Sequence, residues 1–241
     1  MSKLNIAKAA AEFREKIGYS TNAPIRIKSL LQQLNVLAVF RELEGTFSGM
    51  SIKIDDERFM LINSSHSIGR QHFTILHELY HLYIQKNFES IVCDHNNDTK
   101  EKKEEENADL FASYLMLPKD GIIKLIPENE LKKDKIKINT IIAIEQYYSC
   151  SHAAMLRRLE EIDLLSKEKS EELSKDIKIN ARLNGYDTAL YESGNKNLVI
   201  GDYGVKAKRL FDEDLISQSH YLELMMEMGF NFEKINDANE K

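Results

Sequence analysis

The sequence predicts an α+β fold in which a small sheet is set among helices. Three observations carry that expectation. Between residues 36 and 64, three short runs rich in Val, Ile, Phe and Met have the composition and length of strands. On both sides of them, apolar residues recur at helical spacing. Only 3 prolines and 10 glycines occur in 241 residues, so few positions force irregular backbone.

Taken in order, residues 3–18 form an amphipathic helical period ending at Gly18, and Ala23-Pro24 separates it from a short helix at 27–34. VLAVFREL (36–43), FSGMSIKI (47–54) and RFMLINS (58–64) read as strands, with DDE between the last two as a hairpin turn that makes them antiparallel neighbours. FSGMSIKI suits an edge strand that could present a substrate, with Gly49 allowing close backbone approach, or an ordinary half-buried strand. Residues 67–85 read as a long helix, 86–102 as a polar loop, and 104–117 as a helix stopped by Pro118. A helix near 119–126 and a charged connector precede two helices at 138–148 and 151–163. The charge run SKEKSEELSKD is expected to be one exposed helix face. Residues 186–200 read as a hairpin turning at SGNK, and the last helix, 217–228, is capped by Gly229. These changes of composition divide the chain into 1–118, 119–166 and 167–241.

Composition excludes several classes. The net charge of −6 argues against a protein built mainly to neutralise phosphates. No apolar run is long enough to cross a bilayer, and the amphipathic N-terminus lacks the apolar region of a secretory signal. Two cysteines far apart, Cys93 and Cys150, do not make a disulfide framework, so a reducing cytoplasm is the expected compartment.

The chemistry lies in FTILHELYHLYI, 73–84. On a helix, positions i and i+4 share one face, so His77 and His81 can converge on one ion, and imidazole is a preferred ligand of zinc. Glu78 flanks that ion and can act as the base toward a water whose pKa the metal lowers. A catalytic zinc needs a third protein ligand and an open position. In EKKEEENADLFASYLMLP, 101–118, residues Glu105, Ala108, Asp109 and Ala112 share one face. Glu105 is the candidate third ligand. Asp109 is placed to accept a hydrogen bond from the far nitrogen of a liganding histidine, and the alanines let the two helices approach. Phe73, Leu76 and Tyr80 read as core. Arg70 and Gln71 read as supports of the site wall or as surface residues. Donors for an oxyanion could come from Tyr80, Tyr83, Tyr147, Tyr148, His66, His72 or His152, and Cys93 with His95 forms a weak second metal pair.

RQHFTILHELYHLYI followed by EENADLFASYLMLP resembles the ImmA/IrrE family of zinc metallopeptidases, with YYSCSHAAMLRRLEEIDLL similar to a later family segment. The resemblance covers about 20–166. It implies a zincin-like fold, zinc on His77, His81 and Glu105, Glu78 as base, and cleavage of a helix-turn-helix repressor of a mobile element or stress response by a cytoplasmic protease. The family often has Gly where Tyr80 stands and Asn where Asp109 stands. Two other readings compete: a DNA-binding regulator using 138–165, and a non-proteolytic anti-repressor or toxin partner with a structural metal. The net charge of −2 across 140–166 opposes the first, and a base at Glu78 opposes the second.

Overall fold

The computed structural model describes residues 1–86 and 98–229. Helix α1 (Lys3–Lys16) starts at Ser2, whose side chain caps the Asn5 amide and so satisfies an orphan donor. Its buried stripe Ile6, Ala10 and Phe13 follows helical spacing, and Gly18, at φ 75°, takes the left-handed turn after it. Arg14 is buried and donates to the carbonyls of Leu115, Ser20 and Ala23, tying α1 to the following loop and to a helix a hundred residues on. Helix α2 (Ile27–Gln33) leads into β1 (Leu37–Arg41), β2 (Gly49–Ile54) and β3 (Glu57–Asn63).

The hairpin expectation holds for β2 and β3, which pair antiparallel with Gly49 opposite Ile62 and Ile54 opposite Glu57. Asp55 makes the tight turn at φ 51°. Strand β1 does not pair with β2. It runs parallel to β3, Leu37 opposite Phe59, and β4 (Val199–Ile200) closes its other side antiparallel. The sheet is mixed, in the order β2-β3-β1-β4, which leaves β2 on the edge.

Helix α3 (Ile68–Tyr83) packs on β2 and β3, and α4 (Asp98–Met116) crosses it. The latter begins six residues before the expected start. Ala108, Phe111, Ala112 and Leu115 of α4 and Leu76, Leu79 and Tyr80 of α3 are fully buried where the helices meet. Helices α5 (Lys119–Leu125), α6 (Ile138–Tyr148) and α7 (His152–Glu161) follow, α7 capped by the Ser151 side chain on the Ala154 amide. An added Cβ on Gly69 would lie 2.6 Å from the Ser151 nitrogen, so glycine there is what lets the start of α7 lie against the start of α3.

The charge run, 166–176, does form a single short helix, α8 (Lys167–Leu173), in which only Ser170 is buried, and α9 (Ile177–Leu183) follows it after Asp176 at φ 57°. One expectation for the last third fails. Residues 186–200 form no hairpin. They contain a 3-10 turn at Ala189–Tyr191 and the two-residue β4, and Asn195 and Asn197 both have positive φ. The segment is held by α3 instead. The buried Gln71 donates to the carbonyls of His66 and Gly194 and accepts from the Asn195 amide. Helices α10 (Tyr203–Asp212) and α11 (Gln218–Glu227) end the described chain at Gly229, φ 85°. One hydrophobic cluster runs from Ile6 to Ile200, and no helix among the described residues is long and apolar enough to cross a membrane.

Candidate metal centre

The α3 and α4 helices bring His77, His81 and Glu105 together, with one donor atom from each within 4.8 Å of the others. His77 Nε2 lies 3.1 Å from Glu105 Oε2 and 3.2 Å from His81 Nε2, and His81 Nε2 is 3.5 Å from Glu105 Oε1. A tetrahedral ion with bonds of about 2.1 Å sets its ligand atoms roughly 3.4 Å apart. The three side chains therefore match the donor types and the spacing of a metal site.

The outward nitrogens are held as well. Asp109 Oδ1 accepts from His77 Nδ1 at 2.9 Å, and Gln85 Oε1 accepts from His81 Nδ1. Each bond fixes the ring with Nε2 facing the shared point. Burial alone would lower the His77 pKa, but its bonds to Asp109 and Glu105 push it up to about 10, the behaviour of a place that attracts positive charge. Glu105 is held below its ordinary value by the His77 hydrogen bond. Glu104, its neighbour, is engaged elsewhere: Tyr80, itself buried, donates to Glu104 Oε2 at 2.6 Å and packs against Phe111. Tyr80 thus sits under α4 rather than narrowing the site.

Glu78 points beside the cluster and is buried. Ser51 Oγ, from the edge strand, donates to its Oε2 at 2.7 Å. Burial raises the Glu78 pKa, opposed by the nearby His77 and by the Ser51 bond. A cleft of about 750 Å³ opens over these groups, with Ser48 and Gly49 on one side, α3 and α4 as the floor, and Ser151, Ala154 and Arg157 on the other side.

None of the seven residues considered as oxyanion donors lines this cleft. Tyr83 and Tyr148 donate to the carbonyls of Leu34 and Asn22, His72 is engaged with the Ser149 carbonyl, and His152 with Glu145. Phe73, read as core, is a partly buried wall of the cleft. Cys93 and His95 lie outside the described residues, among which the His77, His81 and Glu105 group is the one set of three that could hold an ion.

Sequence reasoning missed Ser51, Gln85 and Arg157. Gln85 was findable, since it stands four residues after His81 on the same helical face. Ser51 and Arg157 reach the site from other elements and carry no local signal.

A profile of Peptidase_M78, the IrrE N-terminal-like domain, matches residues 31–160. Comparison with curated proteins gives no match. The matched span holds the sheet strands β1 to β3, both helices of the centre and α7, more than half of the chain. With that span and its α+β, zincin-like architecture, the chain belongs to the ImmA/IrrE family of metallopeptidases.

Proposed function

We propose that the chain is a zinc-dependent endopeptidase that cuts one specific cytoplasmic protein, a helix-turn-helix repressor of a mobile element or stress response. The observation that supports this most is the pairing of a three-ligand cluster with a buried carboxylate under an open cleft. In this reading His77, His81 and Glu105 hold the ion, while Asp109 and Gln85 fix the two imidazoles. Zinc, when bound, polarises a carbonyl and makes a water acidic enough to lose a proton near neutral pH.

Glu78 is the group that takes that proton. Its Oε2 is occupied by Ser51, which leaves Oε1 for the water and then for the departing amine nitrogen. The unpaired side of β2 can bind an extended stretch of substrate by backbone hydrogen bonds. Glu105 and the histidines come from the 1–118 segment. The 119–166 segment supplies the opposite cleft wall, and the described part of the last segment, 167–229, braces the sheet and the start of α3.

The DNA-regulator reading fits less well, because Ile141, Ile142 and Ile144 of α6 are buried and α7 spends one face on the cleft. The deciding experiment is co-expression with a candidate repressor, with Glu78→Gln as comparison. Loss of general-base catalysis should lower cleavage by about 10²–10⁴-fold, with zinc content and circular dichroism unchanged. Undiminished biological activity in Glu78→Gln would defeat the proteolytic reading and favour a structural metal.

A further inference from the structure

Three cationic side chains, Lys3, Arg70 and Arg157, line the cleft together with its carboxylates. Four carboxylates line it: Glu78, Glu105, Asp109 and Glu161. Each is engaged, Glu78 by Ser51, Glu105 and Asp109 by His77, and Glu161 by Arg158 and Tyr114. Arg70 and Arg157 face the same space from α3 and α7. Neither forms an ion pair among the described residues. Arg70 Nη2 donates to Ser48 Oγ at 2.9 Å, a bond to a neutral group that holds the guanidinium beside the edge strand. Guanidinium forks suit planar carboxylates, and Arg70 from the floor and Arg157 from one wall line the same cavity.

The direction of the cleft tells which part of a substrate would meet them. Strand β2 and helix α3 run side by side in the same sense. Ser48 touches Arg70, a Cβ on Gly49 would fall 2.7 Å from Thr74, and Ser51 reaches Glu78. A peptide added antiparallel to β2 therefore runs from the Glu78 end toward the Arg70 end. Arg70 stands two turns before His77, about 10 Å along the helix axis, which an extended chain covers in about three residues. We infer that Arg70 and Arg157 form a subsite for a carboxylate about two to four residues C-terminal to the scissile bond, an inference that rests on the peptidase reading above. The carboxylate can belong to an Asp or Glu side chain or to the end of the substrate chain.

The test uses the full-length chain loaded with zinc and carrying Glu78→Gln, so that binding is read without cleavage. The probes are fluorescein-labelled decapeptides, randomised except for Glu, Gln or Lys fixed at each position in turn. Each set is made with free and with amidated C-termini, and binding is measured by anisotropy. A charge-assisted fork predicts that Glu at one position binds about tenfold tighter than Gln, with Lys weakest. A tenfold gain that follows the free terminus instead assigns the site to the chain end. Adding Arg70→Ala and Arg157→Ala should erase the gain, and adding Arg70→Glu and Arg157→Glu should turn the preference toward Lys. Both side chains are exposed, and equal zinc content and circular dichroism will show that these variants are folded. Equal binding of Glu and Gln peptides with either terminus, a preference untouched by the double variants, or no binding by any probe overturns the subsite. Cleavage by the unsubstituted chain is scored separately, on the co-expressed candidate repressor. Acid preference in the peptides without that cleavage counts against the peptidase reading and leaves a carboxylate subsite in the cleft standing.

Discussion

At the scale of single residues, the orientation of the two imidazoles depends on groups outside the His77, His81 and Glu105 cluster. Asp109 and Gln85 each take one ring nitrogen of a histidine and turn the other inward. Losing such a bond leaves the ligand in place but free to rotate, at a typical cost of about 10–100-fold in metal affinity. Asp109→Ala and Gln85→Ala should each weaken zinc by that order in competition with a chromogenic chelator, while Glu104→Ala should not. An unchanged affinity in Asp109→Ala would mean that the His77 contact is incidental. The contrast between neighbours also explains what could be read in advance. Glu105 was legible because a helical face carries it together with Ala108, Asp109 and Ala112. Ser51 and Arg157 were not, because strand β2 and helix α7 meet the centre only through the tertiary packing of α3.

At the scale of elements, α7 is fastened to the last third of the chain by a buried ionic group. His152 Nδ1 lies 2.6 Å from Glu145 Oε1, and its Nε2 lies 2.9 Å from the carbonyl of Leu173 at the end of α8. With Glu145 ionised both partners accept, and the ring then donates twice and carries a positive charge. Tyr191 donates to the second oxygen of Glu145 at 2.7 Å. Burial pulls the His152 pKa down, but Glu145 and the Leu173 carbonyl outweigh it and leave the value above the ordinary 6.5. A raised folded value means that the stabilisation is complete below the unfolded pKa and is lost as pH rises through the folded one. Urea unfolding should therefore find His152→Ala less stable by about 3–5 kcal/mol at slightly acidic pH, the usual cost of orphaning half of a buried pair. The gap should narrow on the alkaline side. A gap that does not depend on pH would show that the ring is neutral. These contacts also show why the tail was misread. A strand of two residues is too short to betray itself by alternation, and the left-handed Asn195 and Asn197 bend the chain where a simple hairpin turn was expected.

At the scale of the whole molecule, the tail and the sheet share one hydrophobic cluster. Strand β4 covers the open side of β1, with Ile200 opposite Ala38 and Val199 opposite Val39. Leu190 and Ile200 are buried, as is Ala181 of α9. Ending the chain after residue 166 would bare the backbone of β1 and remove the acceptor of His152. The expected result is a product with a melting temperature lowered by several degrees, since about 1 kcal/mol moves a domain of this size by roughly 2–4 °C, and a tendency to associate through the uncovered edge. Calorimetry together with light scattering would show it, and an equally stable monomeric truncation would count against this role for the tail. The matching outline of the first two thirds was readable because long helical periods and a two-residue turn constrain it strongly. The order of strands was not, since β1 pairs parallel with β3 across the intervening β2, a contact that no local pattern signals.

The two histidines and Glu105 sit on separate helices, joined through the buried contacts of Ala108, Phe111 and Ala112. On the proposed reading, this separation acts as a fuse. A nascent chain cannot cut anything until the second helix has left the ribosome and docked. A heat-damaged copy whose helices part releases its ion and falls silent before it can attack the proteins around it.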